Sequence, residues 1–473
     1  AALLAAKEHS DLPVLVSCAF GEDGKLMTGA SPAAMVALLE GMGADAIGVN
    51  CSLGPKALAP VVREYLRLSS VPVLLKPNAG LPTVVEGETV YNVAPDEFAR
   101  EVAALVHDGV RVAGGCCGTT PAYIAALTAE IKAQGLIAAP ITPKRDTVVS
   151  SYTHAVTFGD DPILIGERIN PTGKKRFQQA LREGDLDYIL AQGVAQADAG
   201  ADILDVNVGI PQVDEPALMA QVVEGLQGAL DLPLQLDSSD PAALESGLRQ
   251  YCGKAIVNSV NGKQQVLDSI LPIVKTYGAA VIGLCMDENG IPQTAQARFD
   301  IAARILKAAQ AHGIPKEDVY IDCLTLTVSA QQEQAAETLE ALQRVKNELG
   351  LKTTLGVSNI SFGLPYRELV NSTFLTMALE EGLDLPIINP NVASMTGAVR
   401  AFRVLRGIDE NSLDYIEAYQ NYTPPTSGGA APAGAASGGA APAADNRAGS
   451  ANTAGASPLQ NAVLKGSIST VSA

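Results

Sequence analysis

The chain has 473 residues, 47% of them hydrophobic, no tryptophan and a formal charge of −18. That is enough apolar material for two or three domains of ordinary size, while the acidity argues against a general nucleic-acid binder, which needs basic surface to displace counterions. No apolar run reaches the ~18 residues of a membrane span, no signal-peptide pattern opens the chain, and the seven cysteines follow no disulfide framework, so a reducing cytoplasm is the expected compartment.

The opening, AALLAAKEHSDLPVLVSCAF, reads as helix, turn and buried strand, as in a piece cut from a longer chain. Over residues 1–137 four apolar runs, LPVLVSCAF, ADAIGVNCS, VPVLLKPNAG and VRVAGGCCG, alternate with helical patterns and predict four parallel strands. Three of them end in polar or sulfur-bearing residues: Asn50, Cys51 and Ser52; Lys76 and Asn78; Cys116 and Cys117. A (β/α) barrel gathers ligand groups at the carboxyl ends of its strands, and four strands are half of one.

A polar link over 138–160 leads to eight further strands, each followed by a helical segment, across 161–422. This predicts a complete TIM-type barrel, giving an α/β chain of two (β/α)8 barrels with only the C-terminal half of the first. Every strand of the second set ends in a carboxylate or amide: Glu167 and Asn170, Asp205 and Asn207, Asp237, Asn258, Asp287, Asp322, Asn359 and Asn389. Such a ring can hold a hydrogen-bonding heterocycle at the barrel mouth. For each Asp the competing role is an N-cap on the following helix, and for Asp240 in SSDP that role is preferred. From 423 to 457 the composition falls to Ala, Gly, Pro and Ser, a disordered linker by its content, and 458–473 begins like an amphipathic helix.

Three of the seven cysteines could converge at one mouth: Cys51, Cys116 and Cys117. Three thiolates with an open fourth position make a catalytic rather than a structural zinc site. Small buried packing residues are the competing reading, and redox chemistry fits less well, since it favours C-x-x-C spacing. Glycines on both sides of Cys116 and Cys117 suit a backbone wrapped closely about an ion. Cys18, Cys252, Cys285 and Cys323 lie in apolar contexts and are expected to pack.

GVNCS, KPNAG and GGCCGTTP together resemble the homocysteine S-methyltransferase family. IGERINPTGKK, DILDVNVG, LQLDSSDP, IVNSVNG and GVSNISFGLP resemble the pterin-binding methyltetrahydrofolate barrel. In this order the two modules resemble the N-terminal half of the cobalamin-dependent methionine synthases, truncated at both ends, with 458–473 similar to the start of the helical cap on the cobalamin domain. The resemblance implies one zinc on Cys51, Cys116 and Cys117, with Asn78 matching an asparagine that can take the fourth position when substrate is absent. It implies pterin contacts from Asp237, Asn258, Asp322 and Asn359, helped by Asp205, Asn207, Glu167 and Asn170, with Asn359 and Asp322 as the catalytic pair. Cys323 is a departure, because the family more often has proline after the aspartate.

The implied reaction moves a methyl group from 5-methyltetrahydrofolate to homocysteine through a cobalamin carrier on a module absent from this chain. Expected partners are the two substrates and that cobalamin domain, with neither nucleic acid nor membrane. A methyltetrahydrofolate:corrinoid protein methyltransferase shares the pterin barrel but does not need the cysteines, and a non-catalytic folate-binding or docking fragment is the reading from another class. The homocysteine contacts carried by a barrel's other four strands are not expected in this sequence.

Overall fold

The computed structural model describes residues 1–137, 140–141 and 146–422. The segments expected as linker and helical cap, 423–457 and 458–473, lie outside the described residues. Helices repeatedly begin on proline, whose fixed φ suits the first turn: Pro32, Pro55, Pro95, Pro121 and Pro241 each open one. Ser31 and Asp240 cap theirs by accepting from Ala34 N and Ala242 N, the role preferred for Asp240.

The first sheet contains β1 (Leu15–Cys18), β2 (Ala46–Asn50) and β3 (Val73–Lys76). A hairpin, β4 (Pro82–Val85) and β5 (Glu88–Tyr91), then intervenes before β6 (Val112–Ala113). The order β1-β2-β3-β6 is parallel throughout and open, as expected of half a barrel. Phe20, Ile47, Leu58, Tyr65, Leu75 and Phe98 are buried between this sheet and its helices. The hairpin is absent from the sequence reading. It turns at Glu86 and Gly87, both at positive φ, the backbone that matches strand twist in a two-residue loop.

Next come β7 (Val148–Ser150) and β8 (Ala155–Thr157), an antiparallel pair inside the segment expected to be a plain link. They pack instead, because Val149 is fully buried with Ile165, Ile203, Ile256, Ile282 and Tyr320 inside the second barrel. The strands of that barrel are β9 (Ile165–Ile169), β10 (Ile203–Val206), β11 (Leu234–Asp237), β12 (Ile256–Asn261), β13 (Ala280–Leu284), β14 (Val319–Asp322), β15 (Lys352–Gly356) and β16 (Leu385–Ile388). All eight are parallel and the barrel closes where β16 pairs with β9. At its amino-terminal end Ser150 N donates to Lys254 O at 3.0 Å and Tyr251 Oη to Ser150 O at 2.8 Å. Beside them the buried Lys254 Nζ lies 2.6 Å from Asp318 Oδ1.

Residues Ala1–Gln420 form one unit. Within it the open sheet's helices meet the barrel's: a β-carbon on Gly41 would lie 2.5 Å from Gly278 O, and Arg249 pairs with Glu8 at 2.6 Å. No helix among the described residues is long and apolar enough to cross a membrane. Cys285 and Cys323 are buried and Cys18 half-buried, but Cys252 is exposed, unlike the packing expected of it.

Candidate functional site: a thiol cluster and an acidic barrel mouth

Cys51 follows β2 directly and stands with Ser52 in the left-handed region, at φ 61 and 57. The loops after β2, β3 and β6 are laced by backbone hydrogen bonds: Cys51 N to Lys76 O (2.9 Å), Cys116 N to Pro77 O (2.8 Å) and Ala79 N to Cys117 O (2.9 Å). The buried Asn78 accepts from Cys117 N through Oδ1 at 3.1 Å. This lacing aims three thiols at one point. Cys51 Sγ lies 3.6 Å from Cys117 Sγ, Cys116 Sγ lies 3.9 Å from Cys117 Sγ, and all three are within 4.8 Å of one another.

Tetrahedral zinc with bonds of about 2.3 Å sets its sulfur ligands roughly 3.8 Å apart, so the donor set fits that ion in type and spacing. The thiols respond to one another electrically. The Ser52 backbone N–H leads in holding the Cys51 thiol below its ordinary value, whereas the facing Cys51 and Cys116 thiols push Cys117 up.

Gly118, at φ +80, has a second reason to lack a side chain: a β-carbon there would lie 2.3 Å from Cγ of Tyr91. The hairpin thus lays the Tyr91 ring on the backbone just beyond Cys117, and desolvation, followed by the neighbouring Cys117 thiol, raises the Tyr91 phenol. Tyr91 was missed in the sequence, although the alternation VVEGETV around a glycine turn is a hairpin signal that pointed to it.

In the second barrel the expected residues end their strands at the same end. Register places Asp205 beside Gln235, Asp237 beside Asn258, and Asp322 beside Leu284 and Thr354. Gln235 Nε2 donates to the buried Asp205 at 2.6 Å, and Asn258 Nδ2 reaches the same oxygen at 3.5 Å. Asn207 Nδ2 donates to Asp237 Oδ2 at 3.0 Å, and Ser358 Oγ to Glu167 Oε1 at 2.9 Å.

Burial is the leading cause of the electrostatics here. It pushes Asp237 up to about 6 and Asp322 up to about 7. It raises Glu167, and raises Asp205 with help from the facing Asp237. Lys174, missed in the sequence reading, donates to Glu167 O at 3.0 Å, and its ammonium is depressed by burial and by Arg168.

Asn359 lies apart from this network, exposed on the short helical turn Val357–Ser361 after β15. It folds back on Gly356, where a β-carbon would sit 2.8 Å from its Nδ2, and the Gly356 backbone N–H also hydrogen-bonds Asp322. Asn170 and Asn389 turn to their own loops, accepting from Thr172 N and Asn391 N at 2.9 and 3.2 Å. Asp287 likewise accepts from Asn289 N at 2.9 Å.

Comparison with known proteins divides the chain at the same place. Residues 1–131 match the family model for homocysteine S-methyltransferase, and residues 166–389 match that for pterin binding enzyme. The chain is 35% identical over 401 residues to a methionine synthase of Mycobacterium tuberculosis (strain ATCC 25618 / H37Rv), an alignment covering 80% of this chain and 33% of the relative. It is 33% identical over 397 residues to a methionine synthase of Mycobacterium leprae (strain TN), with the same coverage of 80% and 33%. The chain therefore spans about a third of the length of the curated relatives it matches. Among solved structures, a dihydropteroate synthase from Xanthomonas albilineans is 20% identical, covering 55% of this chain and 98% of that chain with a TM-score of 0.46.

A segment of the homocysteine S-methyltransferase family followed by one of the pterin binding enzyme family defines a chain of two such modules in series. More particularly, the chain belongs to the methionine synthase family, as a module of it.

Proposed function

We propose that the chain carries the two substrate sites for moving a methyl group from 5-methyltetrahydrofolate to homocysteine, in the cytoplasm, yielding methionine and tetrahydrofolate. The observation that carries this reading is the convergence of Cys51, Cys116 and Cys117 within 4.8 Å in a chain that also holds a pterin-binding barrel. The three cysteines would hold zinc, with Asn78 beside them. When bound, the ion supplies deprotonation of the substrate thiol, whose free pKa of about 8.5 leaves it mostly protonated at neutral pH.

In the barrel, Asp237, Asn258 and Asp322 grip the edge of the pterin, helped by Asp205, Asn207 and Glu167. Asp237 and Asp322, poised near neutrality, accept ring N–H groups when ionised. The tertiary amine N5 leaves poorly unless protonated or hydrogen-bonded in the transition state. The amide of Asn359 serves that nitrogen, and Asp322, held against the same Gly356, fixes the ring beside it. The two sites belong to separate sheets, so the methyl group needs a carrier, in our reading a cobalamin-bearing partner module.

Metal analysis and folate binding test the two halves separately. About one equivalent of zinc is expected, lost in C116S/C117S with the fold intact; a folded chain that takes up no zinc sinks the homocysteine half. Asp237→Ala and Asn258→Ala are expected to abolish methyltetrahydrofolate binding without unfolding, and unchanged affinity returns both residues to structural roles.

A further inference from the structure

The turn leaving β14 carries Asp322, Cys323 and Leu324, and Leu324 stands in the left-handed region at φ 65, where a side chain is disfavoured. In that conformation its N–H donates to Asp322 Oδ1 at 2.7 Å. One carboxylate oxygen is thereby tied to the backbone, and the orientation of the carboxylate depends on the turn keeping its shape.

Arg298 holds it. This residue lies in the helix Ala295–Ala311 and is wholly buried. Its Nη1 donates to Cys323 O at 3.0 Å, Leu324 O at 3.1 Å and Thr338 Oγ1 at 2.7 Å. Nη2 donates to Gln334 Oε1 at 2.6 Å and Nε to Pro292 O at 3.0 Å. Thr338 Oγ1 lies 3.1 Å from Leu324 O and 2.9 Å from Gln334 O one turn back in its own helix, so its single hydrogen is shared between the two carbonyls. Burying a guanidinium is costly unless its fork is filled. Here every nitrogen of the fork has an acceptor, and two of the contacts of Nη1 go to consecutive carbonyls of one strained turn.

We propose that Arg298, assisted by Thr338, is a positioning clamp that fixes the Asp322–Leu324 turn and so presents the Asp322 carboxylate to the folate. The assignment rests on the pterin-site reading above. Arg298 donates to backbone carbonyls behind the turn, so it acts through Asp322 rather than on the ligand. The titratable or charged groups around Asp322 are Arg298, Cys285 and Cys323. Arg298 is the cation among them, so its removal also raises the pH at which the carboxylate forms.

The test measures tetrahydrofolate affinity of the full chain across pH for the unaltered protein, R298M and T338V. Both variants are expected to bind roughly tenfold more weakly, the size of losing a hydrogen bond in which one partner is charged or strained. R298M should also move the midpoint of the affinity profile to higher pH, while T338V, which keeps the cation, leaves it in place. Unchanged affinity in a folded variant, or a loss in R298M with no movement of the midpoint, overturns the clamp. T338V decides the matter if R298M does not fold. Absence of binding by the unaltered protein refutes the pterin reading itself, a different failure from this one.

Discussion

Asp237 and Asp322, in the folate site proposed above, would serve that site at the expense of the fold. Their carboxyls titrate at about 6 and about 7 in the folded chain, against about 3.9 when exposed. Between those limits the folded state holds more protons than the unfolded one, so stability is full below pH 4 and falls as pH rises toward 7. Asp237→Asn and Asp322→Asn should therefore stabilise the chain at pH 8, each by an amount on the order of 3 kcal/mol, while weakening folate binding. Denaturant titrations at pH 5 and pH 8 check this. A gain equal at both pH values would remove the raised pKa as its source.

Single residues also mark where sequence reading runs out. That the strand-terminal acids and the three converging cysteines stand at strand ends was legible because each sits after an apolar run and before a helix start. Arg298 was not, since an arginine in an amphipathic helix normally reads as surface and only the tertiary fold shows its guanidinium set against the Cys323 and Leu324 carbonyls. Nor was the left-handed Leu324, because a leucine gives no sequence sign of positive φ. Cys252 misled for the opposite reason, its apolar neighbours Tyr251 and Ala255 being buried while its own position at a helix end faces out.

At the scale of elements, parallel strands were easy to find and antiparallel ones were missed. Buried parallel strands are continuous apolar runs, whereas β4–β5 are four-residue strands exposed at almost every position and β7–β8 three-residue strands only partly buried. Yet both hairpins shape a site or its support. The first carries Tyr91 onto Gly118. Gly118→Ala should drive the ring off the backbone beyond Cys117, with strain from φ +80 added, and is expected to lower zinc affinity about tenfold or more, the usual size for disturbing the surroundings of metal ligands; chelator competition measures it, and unaltered affinity would separate the hairpin from the metal. The second hairpin depends on its surroundings. Lys254→Met leaves Asp318 buried without this partner at 2.6 Å and should cost about 3–5 kcal/mol, read by urea denaturation. A cost near zero would show that water reaches the pair.

For the whole molecule, the arrangement of two β/α modules in series was legible from strand count and from what ends each strand. Their mutual packing was not, because it depends on backbone approach at Gly41 and Gly278, where the absence of a side chain is the signal and glycine has many other uses. Alanine at either position is expected to disturb that contact and to lower the midpoint of thermal unfolding by a few degrees, an effect seen by calorimetry and absent if the modules do not lean on each other.

The hairpin β7–β8 finally gives the second barrel a direction. With Val149 and its neighbours sealing the amino-terminal end, the barrel is a cup rather than a tube. Whatever enters over Asp205, Asp237 and Asp322 must leave by the same doorway. If the folate sits there as proposed, a methyl acceptor seated on that rim would hold the spent folate inside until it withdrew, and the order of arrival and departure would be set by a floor far from any reacting atom.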